Sequence, residues 1–136
     1  MCQLLLYTTM NWGWCDMWKI KTNQAAWKAA VQAGAEEAVE ALANQMMNDS
    51  LQYIPKNRSI LRDSGSIKKE KKGVRFLVWR TVYALYQWYG VRTDGTHRVK
   101  KYTTRGTGTQ WVEKAKAKRL SAWTKVVKNA FAKGMK

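Results

Sequence analysis

The segment from Asn23 to Tyr53 places the strongest constraint on how this chain can fold. Its apolar residues recur at spacings of three, four and five, the pattern of a long amphipathic helix; they are Trp27, Val31, Ala35, Ala38, Val39, Leu42, Met46 and Leu51. Thr22 or Asn23 is a suitable N-cap. Pro55 lacks an N–H and disfavours the α region at Ile54, so the helix should end near Tyr53 or Ile54.

Gly34 lies in the middle of this predicted helix. A glycine at this position either weakens the helix by about 1 kcal/mol relative to alanine or lets another backbone come close. The opposite helix face carries Gln, Glu and Asn, so it is either solvated or packed against polar groups.

A β-hairpin is predicted after the Pro55 loop. Ser66–Lys69 and Val74–Trp79 flank the turn sequence Glu70-Lys71-Lys72-Gly73, which supplies a glycine for the turn. Val74, Phe76 and Val78 should point to one face of the sheet and Arg75, Leu77 and Trp79 to the other. Since both sets contain large apolar residues, the second strand should be buried on more than one side.

Three further segments complete the chain. Tyr83–Tyr89 is dense in aromatic residues and should form a short helix that ends at Gly90, with its aromatics in the core or a subunit interface. Residues 91–109 show no sustained period, and a loop this long is usually functional or disordered until bound. Gln110–Met135 should form a second long helix with Thr109 as its cap and a lysine-rich outer face. Its predicted inward residues are Trp111, Ala115, Leu120, Trp123, Val127, Ala130 and Phe131.

These segments predict one α+β domain in which two long amphipathic helices pack on a small antiparallel sheet, the β-hairpin, with a short third helix and a long basic loop. A chain of 136 residues with 46% apolar residues and one proline is long enough to bury a core. No internal repeat and no second domain is indicated.

The basic residues are concentrated in the second part of the chain. The formal net charge is +16. Residues 1–54 hold three basic and five acidic residues, whereas residues 55–136 hold 22 basic and four acidic residues, a net charge of +18. Such a field favours polyanions, either nucleic acid or an acidic protein surface.

The sequence argues against an enzyme. It contains no phosphate-binding glycine-rich loop, no paired carboxylates with an obvious cleft and no nucleophile motif with a base partner. His97 is the single histidine and has no carboxylate nearer in sequence than Asp94, so we expect no catalytic site, no metal site and no cofactor.

Residues 1–16 form an N-terminal extension of doubtful status. They show no period, and they are either an assembly arm or the product of an upstream start codon, with Met17 the favoured true start of the domain at residues 17–136. Cys2 and Cys15 both lie in this segment, so no disulfide framework is supported. Leu4-Leu5-Leu6 is too short to span a membrane, and no basic signal region precedes it, so synthesis in a cytoplasm is expected.

Three sequence blocks occur in an order that resembles a known family. The first is Tyr53-Ile54-Pro55 followed by Leu61-Arg62, Ser64 and Gly65; the second is Trp79-Arg80-Thr81-Val82-Tyr83-Ala84; the third is Trp111 near the start of the last helix. This set resembles the minor capsid protein family of long-tailed phages and prophages of Gram-positive bacteria, which looks related to tail-completion proteins. Ser59 stands where that family more often has glycine, and Met17–Lys21 reads like the family's short opening strand.

The resemblance implies a structural virion protein of the phage head-tail connection, or neck. It implies a homo-oligomeric ring, sixfold because tails have that symmetry, that joins head-completion (stopper) proteins to tail-terminator or tail-tube proteins. The subunit would be synthesised in the bacterial host cytoplasm and placed at the head-tail junction of the virion, with no membrane partner. The conserved-pattern positions of the family are then structural: Tyr53, Pro55, Leu61, Arg62, Ser64, Gly65, Trp79, Tyr83, Ala84 and Trp111.

Exposed basic residues are the candidates for assembly or for contact with DNA. They lie on the hairpin and in the loop: Lys68, Lys69, Lys71, Lys72, Arg92, Arg98, Lys100, Lys101 and Arg105, with Tyr102 interleaved as a possible stacking residue. They could instead be a solvated face, or they could touch DNA that passes through the lumen of a ring. Which basic segment would face that lumen does not follow from the sequence.

Two other functions remain open. The first is a stand-alone nucleic-acid-binding protein that uses the basic part nonspecifically, in which case its affinity for short duplexes should fall steeply with salt. The second is a small toxin or antidefence protein, which would be encoded away from any portal, capsid and tail-tube genes.

Overall fold

The computed structural model describes residues 23–56, 59–92, 94–102 and 104–136. Six elements follow in order: helix α1 (Gln24–Leu51), helix α2 (Ile60–Asp63), strand β1 (Gly65–Lys71), strand β2 (Val74–Trp79), helix α3 (Ala84–Tyr89) and helix α4 (Trp111–Gly134). This arrangement confirms the predicted α+β class. The predicted opening strand at 17–21 and both cysteines lie outside the described residues.

Helix α1 begins and ends close to the predicted positions. Asn23 is the N-cap, and its side-chain oxygen accepts a hydrogen bond of 3.1 Å from the amide of Ala26. The helix ends at Leu51, within two residues of the predicted stop. The prediction that Trp27 and Ala35 lie on the buried stripe is wrong, since both are exposed, Trp27 by 64%.

Helices α1 and α4 pack as an antiparallel pair that explains the exposure of Trp27. Gly34 of α1 meets the last turn of α4, where a Cβ added to Gly34 would lie 2.8 Å from Met135 Cγ and 2.9 Å from the Phe131 carbonyl oxygen. Of the two interpretations of Gly34, the structure therefore supports close backbone approach. Because α4 ends beside Gly34, the first turns of α1 extend past their partner.

The other end of the helix pair is fixed by a hydrogen bond. The indole Nε1 of the buried Trp123 donates to Asp49 Oδ2 at 2.6 Å. Helix α4 buries Trp111, Ala115, Trp123 and Ala130. Leu120 is 56% exposed, so its predicted inward position is wrong; at about 100° per residue it lies roughly 140° around the helix from Ala115.

The predicted cap of α4 is also wrong. Gln110, and not Thr109, is the N-cap, with a left-handed φ of 49° and no side-chain capping bond. The amide of Gln110 donates to the Trp88 carbonyl oxygen at 3.2 Å, which ties the start of α4 to helix α3. Helix α3 itself ends at Gly90 as predicted, with a φ of 72° at that glycine.

Strands β1 and β2 form the predicted antiparallel hairpin. Gly65 pairs with Trp79 and Lys68 with Phe76, and a register shift occurs between Lys69 and Lys71 before the turn at Gly73, which has a φ of 73°. The prediction that β2 is buried on more than one side is wrong for the outer face: Val74 and Phe76 are 39% and 46% exposed. The described sheet has two strands, and α1 covers one face of it.

Candidate assembly and basic surfaces

The buried core of the domain is built around Trp111. Trp111, Ile54 and Leu61 are 1%, 0% and 2% exposed. Trp79 of β2 and Trp88 of α3 meet the Trp111 ring edge to face, with centroid distances of 5.5 Å and 4.7 Å. One side chain at the start of α4 therefore holds the hairpin and the short helix in place.

The Asp49–Gly65 segment folds back onto this core. Pro55 is buried, and Arg62 Nη2 donates to the Ile54 carbonyl oxygen at 3.3 Å. Ser64 Oγ donates to the Leu61 carbonyl oxygen at 2.8 Å, which closes the end of α2. Ser59 adopts a left-handed φ of 59° at the start of α2, so the turn is made without the glycine of the resembled family.

The remaining positions of the three sequence blocks lie in the same region. A Cβ added to Gly65 would lie 2.9 Å from Trp79 Nε1. Position 65 therefore accepts only glycine unless the Trp79 ring or the backbone moves. Tyr83 and Ala84, like Tyr53, pack against the core cluster. The structure thus brings residues of all three blocks together at the core, whereas Val82 of the second block is fully exposed.

An open, mostly apolar groove runs beside the core and is lined by four elements. We call it the apolar groove; its volume is about 610 Å³. Its apolar lining comes from α1, β2, α3 and α4 and includes Leu42, Met46, Leu77, Leu85, Trp88 and Val112. Phe76 also lines it, and Phe76 and Leu85 are 46% and 54% exposed. These apolar side chains have no cover among the described residues.

One wall of the apolar groove is held by an ionic clasp between the hairpin and α1. Arg75 Nη2 contacts Glu36 Oε1 at 2.7 Å and Arg75 Nε contacts Glu40 Oε2 at 2.6 Å, with the Arg75 side chain 5% exposed. Lys69 and the Gly73 amide also bind Glu36, at 2.6 Å and 2.7 Å. Bonding from Arg75, then Lys69 and Gly73, lowers the pKa of Glu36 to about 2, and Glu36 in turn raises the pKa of Arg75.

The loop from Val91 to Thr109 is attached to the domain at several described points. The Val99 amide donates to the Gly90 carbonyl oxygen at 2.9 Å, and the Gly108 amide donates to the Tyr53 carbonyl oxygen at 3.1 Å. The Tyr102 hydroxyl donates to the Gln87 carbonyl oxygen at 3.4 Å, and burial raises the pKa of Tyr102. This half-buried position does not favour stacking of a base on Tyr102.

All nine predicted basic candidates are exposed, but two of them have carboxylate partners. Arg98, Lys100, Lys101 and Arg105 project from the loop, and Lys68, Lys71 and Lys72 project from the hairpin. Lys69 is bound to Glu36, and Arg92 Nε lies 3.7 Å from Asp94 Oδ2. The candidates therefore form two separate groups, one on the hairpin and one on the loop.

Sequence reasoning did not include the lysines of α4 among the candidate residues. This helix carries seven basic residues and one acidic residue, Glu113. Helical spacing was the available signal, because Lys114, Lys118, Lys125 and Lys128 fall on one side of a helix.

The described residues offer little basis for other chemistry. They contain no group of three or more histidine, cysteine or acidic residues that could hold a metal ion. His97 is exposed, with Nδ1 2.7 Å from Thr96 Oγ1 and 3.9 Å from Asp94 Oδ2. Within the same residues, no helix has both the length and the hydropathy required to cross a bilayer.

The fold and these surfaces define a small α+β domain with a strongly basic exterior and an apolar groove that the described residues leave open. The chain matches the minor capsid protein family over residues 18–135 and belongs to that family, whose members are structural proteins of phage virions. No significant match to the chain is found among the curated proteins or among the solved structures.

Proposed function

We propose that this virion protein is a subunit of the phage head-tail connection, where it assembles as a ring that joins head-completion proteins to the tail. The observation that carries the proposal is the apolar groove, in which half-exposed apolar side chains from separate elements, Phe76 and Leu85 among them, line one concave surface that a partner can fill. A structural role, without catalysis, agrees with the family to which the chain belongs.

The occupant that we propose for the groove is a neighbouring copy of the chain. A ring requires a head-to-tail interface, in which a groove on one subunit receives a different surface of the next. Because Leu85 and Phe76 are already about half buried, covering them would contribute about half of the 1.5–3 kcal/mol of full burial, roughly 1 kcal/mol for each side chain. The hairpin and the loop from Val91 to Thr109 would then reach neighbouring subunits or the stopper and tail-terminator rings.

A matched pair of leucine substitutions tests this interface. Leu85 lines the groove and is 54% exposed, whereas Leu120 is 56% exposed and does not line it. We expect Leu85→Gln to reduce incorporation into particles at least tenfold when the gene is supplied in trans to a phage that lacks it. Leu120→Gln should be incorporated like the unmodified protein. Equal incorporation of the two folded variants would refute the groove as the interface.

A stand-alone nucleic-acid-binding protein is the second candidate function. The exposed cations of the loop that lack a carboxylate partner in the described ranges favour it. Gene neighbourhood separates the candidates, because a neck subunit should be encoded between the capsid genes and the major tail genes. A location away from all virion genes would favour the nucleic-acid-binding protein or a toxin.

A further inference from the structure

Helix α4 presents a straight row of cations on its surface. Lys114, Lys118, Lys125 and Lys128, which we call the lysine stripe, fall within an arc of about 80° on the helix. The row is about 21 Å long at 1.5 Å per residue, which equals the axial rise of roughly six base pairs of duplex DNA. The stripe is therefore a linear array of positive charge on a rigid element.

The charges of the lysine stripe have no carboxylate partner in the part of the chain that the structure describes. Within residues 23–56, 59–92, 94–102 and 104–136, no carboxylate lies within ion-pair distance of the four ammonium groups. Two other lysines of the chain differ in this respect: Lys69 is bound to Glu36 and Lys133 to Glu37. Lys118, Lys125 and Lys128 are also exposed, so these three cations remain available to an external partner, whereas Lys114 is half-buried.

The lysine stripe continues into the basic loop at one end. Lys118 Nζ lies 5.3 Å from the centre of the Tyr53 ring, and the Tyr53 carbonyl oxygen accepts the bond from Gly108. Gly108 also packs against the ammonium group of Lys114. The exposed Arg105 lies three residues before Gly108 in this loop.

The chemistry of the stripe indicates a phosphate backbone as its partner. The residues between its lysines on this side are small, Ala117 and Ser121, and supply no large apolar anchor. Protein interfaces are depleted of lysine and enriched in aromatic residues at their centres, so this surface is unlike them. A regular line of phosphates, in contrast, is bound by lysines through release of counterions and without sequence readout.

We propose that the lysine stripe of α4 binds the phosphate backbone of duplex DNA without reading its sequence. This proposal names the surface of the subunit that would face DNA. The placement of that surface in a head-tail ring rests on the proposed function. The stripe, and not the hairpin, would then contribute most of the salt dependence of DNA binding.

Two triple variants with equal loss of charge test the proposal. K118Q/K125Q/K128Q removes three charges of the stripe, and K72Q/K116Q/R119Q removes three exposed charges elsewhere, two of them on α4 itself. Binding of the full chain to two unrelated 25-base-pair duplexes is measured from about 50 to 200 mM salt. A plot of log K against log salt concentration has a negative slope. We expect this slope to become less negative by about 2.7 in the stripe variant and by less than about 1 in the control variant.

Several results would overturn the proposal. The first is an equal change of the salt slope in both variants, and the second is an unchanged slope in the stripe variant. The third is failure of the unmodified chain to bind either duplex at the lowest salt. The fourth is binding of polyglutamate that depends on the stripe and is as tight as the binding of DNA. Ring assembly, followed separately by sedimentation, distinguishes the two ideas. If the stripe variant loses DNA binding but still assembles, both the DNA-binding proposal and the ring are supported. If DNA binding depends on the stripe but the unmodified chain does not assemble, only the ring is rejected.

Discussion

Replacement of Trp111 by alanine should be the most damaging single truncation in the described core. The side chain is 1% exposed, and its ring contacts Trp79 and Trp88 at centroid distances of 5.5 Å and 4.7 Å. Trp111→Ala removes the apolar burial and both edge-to-face pairs at once. It also removes the side chain that joins the hairpin, α3 and α4.

The expected cost follows from these contacts. Truncation of a buried tryptophan to alanine costs about 3–5 kcal/mol, and the two ring pairs place Trp111 at the upper end of that range. Since domains are stable by about 5–15 kcal/mol, this loss is a large part of the total. For a domain of this size it corresponds to a fall in Tm of roughly 10–20 °C.

Urea unfolding followed by circular dichroism measures the change, with Trp27→Ala as the control. Trp27 is the same residue type but is 64% exposed, so its truncation should change the free energy of unfolding by less than about 0.5 kcal/mol. If Trp111→Ala and Trp27→Ala cost the same, or if Trp111→Ala costs less than about 1.5 kcal/mol, the core described for Trp111 is refuted.

Four further predictions follow from local geometry. Gly34→Ala should fail to give the gain of about 1 kcal/mol expected for an uncrowded helix glycine and should cost about 0–2 kcal/mol net in the same unfolding assay, because the new Cβ would lie 2.9 Å from the Phe131 carbonyl oxygen; a stabilisation of about 1 kcal/mol would contradict the close helix approach. Ser59→Gly should stabilise the domain by about 0.5–1 kcal/mol because it relieves a left-handed serine, and a loss of stability would argue against that conformation. Because the folded-state pKa of Glu36 is lowered to about 2 from 4.5, its contribution is present above pH 4.5 and is lost as pH falls toward 2; Glu36→Gln should flatten stability against pH in that window, and an unchanged pH dependence would contradict the bonds described for Glu36. Amides of the loop from Val91 to Thr109 should exchange more slowly in assembled particles than in the free chain, and equal protection would contradict ordering of this loop on docking.

Local sequence signals predicted most elements correctly because they act over a few residues. The cap at Asn23, the hairpin turn at Gly73 and the end of α3 at Gly90 each depend on the conformational preference of one residue and its neighbours. The predictions of burial were wrong at positions where the packing of distant elements determines the exposure of the side chain. Trp27 continues the apolar stripe of α1, but its exposure depends on where α4 ends.

The candidate surfaces were less predictable than the elements. Phe76 alternates correctly along β2, yet the sequence does not reveal that its face of the sheet stays uncovered. The apolar groove is lined by residues of four elements that lie between Val39 and Glu113 in the sequence, so no local pattern could indicate it. The close spacing of the hairpin lysines in the sequence indicated a basic surface. The ion pair between Lys69 and Glu36 of α1 could not be predicted, because the two residues are brought together only by the fold.

Localisation of the protein within intact virions tests the central proposal most directly. A cryo-electron-microscopy reconstruction of the phage neck, with antibody labelling of the protein as a second readout, gives both its position and its symmetry. The proposal predicts a closed ring at the head-tail junction in which a neighbouring copy fills the groove beside Leu85. A protein placed only on the capsid faces, or a neck ring with that groove open to solvent, would contradict it.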